Sequence, residues 1–246
     1  MPYENIPEQS VAETAPQTAE TAPQTEAPKK ESNGLATAAT VISNLFSPLL
    51  MATYAVALAM QLSFLSLVPL QMRLIVLLVT FLATTALPVI AIFLLIRFGV
   101  VKDPMLNRKD DRTWPYIIEA LCFIGVAIYF YTIHAPLWLV LFILGGTMAL
   151  ITLTVVNRWW KISGHATGAG ALCAIVFYLI ASGNSIFSLT WEFIAICLLA
   201  GLICTSRLIL GRHTLGQVAA GFLNGFLWVF LAAWLFQAAP VPVIVQ

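Results

Sequence analysis

The sequence predicts an all-α fold: a polytopic bundle of about six to seven transmembrane helices behind a disordered N-terminal tail. Three observations carry this expectation. The 246-residue chain is 60% hydrophobic and 9% charged, far from the roughly 25% charged residues of a soluble domain. Several apolar stretches reach the roughly 20 residues that a helix needs to cross a bilayer. Residues 1–34, by contrast, are polar and repetitive. The expected division is a tail, 1–34, and a transmembrane domain, 35–246.

In chain order, the tail comes first. Residues 12–18 and 19–25 both read Ala-Glu-Thr-Ala-Pro-Gln-Thr. Such a composition buries too little apolar area to offset ordering, so disorder is expected. The tail lacks the basic, apolar and cleavage regions of a signal peptide. The first helix is expected over about 40–66, with Pro48 separating an interfacial turn from the span proper. The second runs over about 71–98, with a kink at Pro88. A charged loop, 99–113, precedes helices at about 115–132 and 136–156. A short loop, 157–164, leads to a helix at about 165–182. The last two cover about 190–206 and 214–238.

Two spans separate the 99–113 loop from the 157–164 loop, and two more separate that one from 207–213. All three polar loops therefore face one side of the membrane. They hold Lys102, Arg108, Lys109, Arg112, Arg158, Lys161, Arg207 and Arg212, while Arg73 sits on the other side. The net charge of +1 conceals a split, because the tail is acidic and the membrane body basic. These cations form no extended patch, which excludes nucleic acid as a partner, and an anionic group at the membrane surface suits them. Cys122, Cys173, Cys197 and Cys204 lie in apolar runs with no CxxC pairing, so they read as packing residues and not as disulfide or metal ligands. His134 falls in a turn on the opposite side. Glu119 and Glu192 sit near expected helix starts, where negative charge is favourable. Gly216, Gly221 and Gly225 are expected to let helices approach closely.

Chemistry concentrates in two segments. Ser163 stands where a helix N-cap would, and Gly164 lets a ligand approach the backbone. Free N–H groups at a helix start form an anion site, and His165 lies in the first turn beside it. Taken alone, this is also what an ordinary capped helix with an interfacial histidine looks like. In the second segment, Arg207 closes an apolar helix, where its guanidinium must reach water or an anion. Its planar fork suits phosphate. His213 opens the final helix, so its imidazole also sits at an N-terminus.

Together, Ser163-Gly164-His165 and Ser206-Arg207 with His213 after five intervening residues resemble the second and third motifs of the type 2 phosphatidic acid phosphatase superfamily of membrane phosphatases. The resemblance covers roughly residues 100–225. It implies that His213 is the nucleophile and His165 the proton donor, with Arg207, Ser163 and Gly164 binding substrate phosphate. Two departures stand out. The family carries Asp four residues after the nucleophile, where this chain has Gln217. One helical turn apart, Gln217 and His213 share a face, so Gln217 is expected to orient the nucleophile through its amide oxygen. The family's first motif ends in Arg-Pro, a pair that the 99–113 loop lacks. Arg112, followed by Pro115, is the nearest equivalent, with Lys109 or Lys102 as the phosphate-binding lysine.

The expected activity is therefore metal-independent hydrolysis of a lipid phosphate, with no cofactor and no obligate protein partner. Candidate substrates are polyprenyl diphosphate, lipid A phosphate and phosphatidate types. The alternative is a lipid-binding membrane protein that keeps the phosphate site without turnover. A transporter would spread polar residues through the spans, and this chain has few there. Loop charge alone favours a cytoplasmic site, but catalytic arginines distort that count. The resemblance implies the outer face, so an extracytoplasmic site in the cell (inner) membrane is the expectation.

Overall fold

Inside a bilayer every backbone N–H and C=O must find its partner within the protein, which restricts an open apolar chain to helix. The computed structural model describes residues 33–101 and 113–235, and these hold helices with no strand. The order is α1 (Asn33–Leu45), α2 (Pro48–Leu62), a short 3₁₀ turn, α3 (Leu70–Phe81), a π-helical segment (Leu82–Ala86) and α4 (Leu87–Arg97). There follow α5 (Thr113–Thr132), α6 (Leu137–Val156), α7 (Gly164–Ser182), α8 (Thr190–Ile209) and α9 (Leu215–Leu235). Among the described residues six helices are long and apolar enough to span a membrane, with Leu70–Arg97 counted as one; the α1/α2 pair would make a seventh. Of the tail expected to be disordered, 1–34, residues 1–32 fall outside the described residues, as do the phosphate-binding roles expected for Lys102, Lys109 and Arg112, whereas Asn33 and Gly34 open α1.

The first expected helix needs correction. Pro48 does open a helix, α2, but the residues before it form a helix of their own and not an interfacial turn. Steric conflict with a following proline keeps Ser47 out of the helical region, and its ψ is 142°. The chain consequently bends by 63° between α1 and α2. Pro88 acts differently. It has no N–H to bond a carbonyl one turn back, and the π-helical segment just before it absorbs the misfit without breaking the span.

Helix α7 is the centre of the bundle. Two-thirds of its apolar window is buried (67%), against 17% for α8. It packs on α2, α8 and, most extensively, α9, while α6 also packs on α9 and α1 lies along α8. Lipid tails are as apolar as leucine, so helix association here depends on close fit. Gly221 and Gly225 meet that expectation: a Cβ at Gly221 would lie 2.5 Å from the Ser163 carbonyl oxygen, and one at Gly225 would overlap the Thr167 carbonyl. Gly170 of α7 does the same against Phe222, whereas Gly216 faces the Trp160 ring with room to spare. Outward faces carry Leu121, Ile128, Leu198 and Leu223, side chains suited to lipid.

Candidate active site

Ser163 caps α7. Its hydroxyl accepts from the Ala166 N–H at 3.3 Å, and its carbonyl takes the Thr167 N–H at 3.0 Å and the Thr167 hydroxyl at 3.1 Å. The cap is fully buried, yet each of these groups has a partner. Gly164 then starts the helix, and the Tyr116 hydroxyl of α5 would lie 3.3 Å from a Cβ placed there. The start of α5 is thereby brought to the same end of the bundle as the start of α7.

The segment from Arg207 to Gln217 is built from local turn chemistry. Gly211, at φ 61°, ends α8: its N–H reaches the Leu208 carbonyl at 2.9 Å, and the Arg212 N–H reaches back to the Arg207 carbonyl at 3.1 Å. This is the left-handed glycine cap, and a side chain at Gly211 would strain it. Three residues on, α9 opens with a reciprocal cap. The Thr214 N–H donates to Gln217 Oε1 at 3.2 Å, and the Gln217 N–H donates to Thr214 Oγ1 at 3.4 Å. The spacing Thr-x-x-Gln is a capping box, a signal legible in the sequence but overlooked in favour of a catalytic role.

His213 lies between these two devices and is buried. Its Nδ1 is 3.2 Å from the Lys161 carbonyl. A carbonyl can only accept, so Nδ1 carries the proton and the ring lone pair lies on Nε2. The orienting contact expected from Gln217 is thus made by Lys161, and the Gln217 amide oxygen serves the helix cap. The Ser163 N–H donates to the Gln217 carbonyl at 3.2 Å. These two bonds stitch the His213 segment to the loop that precedes His165.

His165 and Arg207 meet at a residue that the motifs did not predict. His165 Nε2 lies 3.0 Å from the Ser43 carbonyl oxygen and 3.2 Å from its hydroxyl. The carbonyl again fixes the proton, here on Nε2. Arg207 Nη1 donates to the same Ser43 hydroxyl. Ser43 is buried in α1, and α1 packs on α8. A serine in an apolar helix gives no functional signal by itself, and its role appears only once α1 folds back across the bundle end. Of the residues expected in the site, His165 and Arg207 meet at Ser43, while His213, Gln217 and Ser163 are tied together through the 161–163 loop, and Gly164 starts α7 between Ser163 and His165. His134 is exposed in the α5–α6 turn. Among the described residues no three His, Cys, Asp or Glu side chains are grouped so as to hold a metal ion.

Residues 157–240 match the family model of the PAP2 superfamily. No curated protein and no solved structure gave a match. The matched stretch contains both histidine segments and the helices that carry them, and leaves out the 99–113 loop. It supports the resemblance drawn from the motifs. With the apolar helical bundle, it supports a PAP2-type membrane phosphatase in general terms.

Proposed function

We propose that the chain is an integral-membrane phosphatase that hydrolyses a lipid phosphate monoester or diphosphate through a phosphohistidine. His213 Nε2 attacks phosphorus in line, the bond to the lipid oxygen breaks, and His165 gives its Nε2 proton to that oxygen. Water then attacks the phosphohistidine and loses a proton to His165. The N–P bond breaks and orthophosphate leaves. Arg207 and the N–H groups at the start of α7 hold the equatorial oxygens, joined by Arg112 and Lys109 of the preceding loop. No metal or organic cofactor takes part. The substrate is an amphiphile of the polyprenyl diphosphate, lipid A phosphate or phosphatidate type, reached from within the cell membrane on its extracytoplasmic face.

The observation that supports this reading is a pair of contacts. Ser43 joins His165 to Arg207, and the Lys161 carbonyl holds the His213 ring with its lone pair on Nε2.

The test is phosphate release from a panel of lipid phosphates, in EDTA, by purified wild type, His213→Ala and His165→Ala. Wild type is expected to release phosphate and both variants to lose it while remaining folded in membranes. Retained turnover in both variants overturns the reading. Head-group binding by wild type without turnover favours the lipid-binding alternative, for which a neutral Gln217 in place of the family's carboxylate speaks. Protease access to a tagged tail in intact cells checks the orientation, and a protected tail fits an extracytoplasmic site.

A further inference from the structure

A cavity of about 60 Å³ lies among α2, α5, α6 and α7, with Gly164 in its wall. Its lining is mostly apolar, with Met51, Phe123, Phe142 and Leu150 prominent, and Glu119 brings a carboxyl to it. The sequence placed Glu119 near a helix start. It lies instead in the second turn of α5, 3% exposed, whereas Glu192 does sit in the first turn of α8. Tyr116, Glu119 and Phe123 share one face of α5 and line the cavity.

No charge or hydrogen-bond donor among the described residues offsets the burial of the Glu119 carboxyl. In the wall of α7, the Thr167 hydroxyl is committed to the Ser163 carbonyl. A carboxyl left unpaired in a membrane interior is expensive, and such groups persist where a ligand or a transfer step uses them. One end of the cavity adjoins the loop proposed to hold phosphate, through Gly164 and the neighbouring Tyr116 hydroxyl. Gly168, one turn further along, keeps the α7 wall open, since a Cβ there would collide with Met51.

We propose that this cavity takes the segment of the lipid next to its phosphate, and that Glu119 hydrogen-bonds a hydroxyl carried on that segment. The inference rests on the phosphatase reading for the position of the phosphate. A hydroxyl suits the carboxyl whichever of the two carries the shared proton, because it both donates and accepts. The preferred substrates are then phosphorylated lipids with a backbone hydroxyl a few bonds from phosphorus, of the lysoglycerolipid or sphingoid type. Polyprenyl phosphates offer hydrocarbon to the same carboxyl and are disfavoured.

The test uses two non-hydrolysable phosphonate analogues of a lysoglycerophospholipid, identical but for the backbone hydroxyl, which one of them replaces with hydrogen. Wild type should bind the hydroxylated analogue about tenfold more tightly, the worth of one buried hydrogen bond. Glu119→Leu should bring the ratio close to one, and Glu119→Gln, which keeps an acceptor, should retain part of it. Equal binding by wild type, or an undiminished ratio in Glu119→Leu, overturns the proposal. If Glu119→Leu fails to fold, difference infrared spectra of wild type decide: the carboxyl C=O band should move with the hydroxylated analogue and not with its deoxy partner. A band indifferent to both overturns the proposal. Binding requires no turnover, so a protein that releases no phosphate yet discriminates between the analogues would separate failure of the phosphatase reading from failure of this one.

Discussion

The two histidine-bearing segments reach one end of the bundle by different physical means. The segment from Arg207 to Gln217 is shaped by its own sequence: a left-handed glycine ends α8, and a capping box opens α9 three residues after it. From outside the segment, His213 takes the Lys161 carbonyl. His165 sits at the start of the most buried helix, yet its ring is held by Ser43, 122 residues away in sequence. Local turn chemistry fixes one imidazole, and a long-range helix contact fixes the other. Damage to the first should stay local, while damage to the packing around the second should spread.

The largest expected effect breaks the comparison outright. His213→Ala should lower phosphate release by at least about ten thousandfold and abolish the trapped phosphoenzyme, since loss of a covalent nucleophile is rarely compensated. His165→Ala should cost about a hundred- to ten-thousandfold with an alkyl lipid phosphate, the usual worth of a general acid. With an aryl phosphate, whose leaving group needs little protonation, the same variant should lose far less. Kinetics with the two leaving groups check this, and equal losses would mean that His165 is not the acid.

Packing comes next. Gly221→Leu places a side chain against the Ser163 backbone and should destabilise the fold by about 1–3 kcal/mol or more. Thermal denaturation in detergent measures this, with activity falling alongside. Ser43→Ala removes the hydroxyl shared by His165 and Arg207 but leaves the carbonyl in place. At about 1 kcal/mol for the hydrogen bonding lost, kcat/KM should drop roughly fivefold with little change in Tm. The smallest effect on turnover is expected from Gln217→Ala. It should remove about 1 kcal/mol of stability through the lost cap and change kcat by less than about threefold. A hundredfold fall in kcat would restore Gln217 as the residue that orients the nucleophile.

Most of the helical layout was legible in the sequence because spans announce themselves by length and hydropathy. Both histidine motifs were legible because they are contiguous. The capping role of Gln217 was legible too, through Thr214 three residues before it, but a family pattern with a carboxylate at that position drew attention away. Gly221 and Gly225 were readable as a small-residue stripe, while their partner Gly170 was not singled out, since nothing local says which helix α9 will meet.

By itself, then, the sequence determined what depends on neighbours in the chain: the spans, the break at Pro48, the irregular turn before Pro88, the turn at Gly211 and the order of the polar loops. Only the tertiary structure decided that α1 bends back to bring Ser43 onto His165 and Arg207, that the Lys161 carbonyl holds His213, and that Glu119 lies in an apolar cavity with no partner among the described residues. The reason is that hydropathy and turn chemistry act over a few residues, whereas helix association in a bilayer depends on how closely backbones from distant parts of the chain can approach.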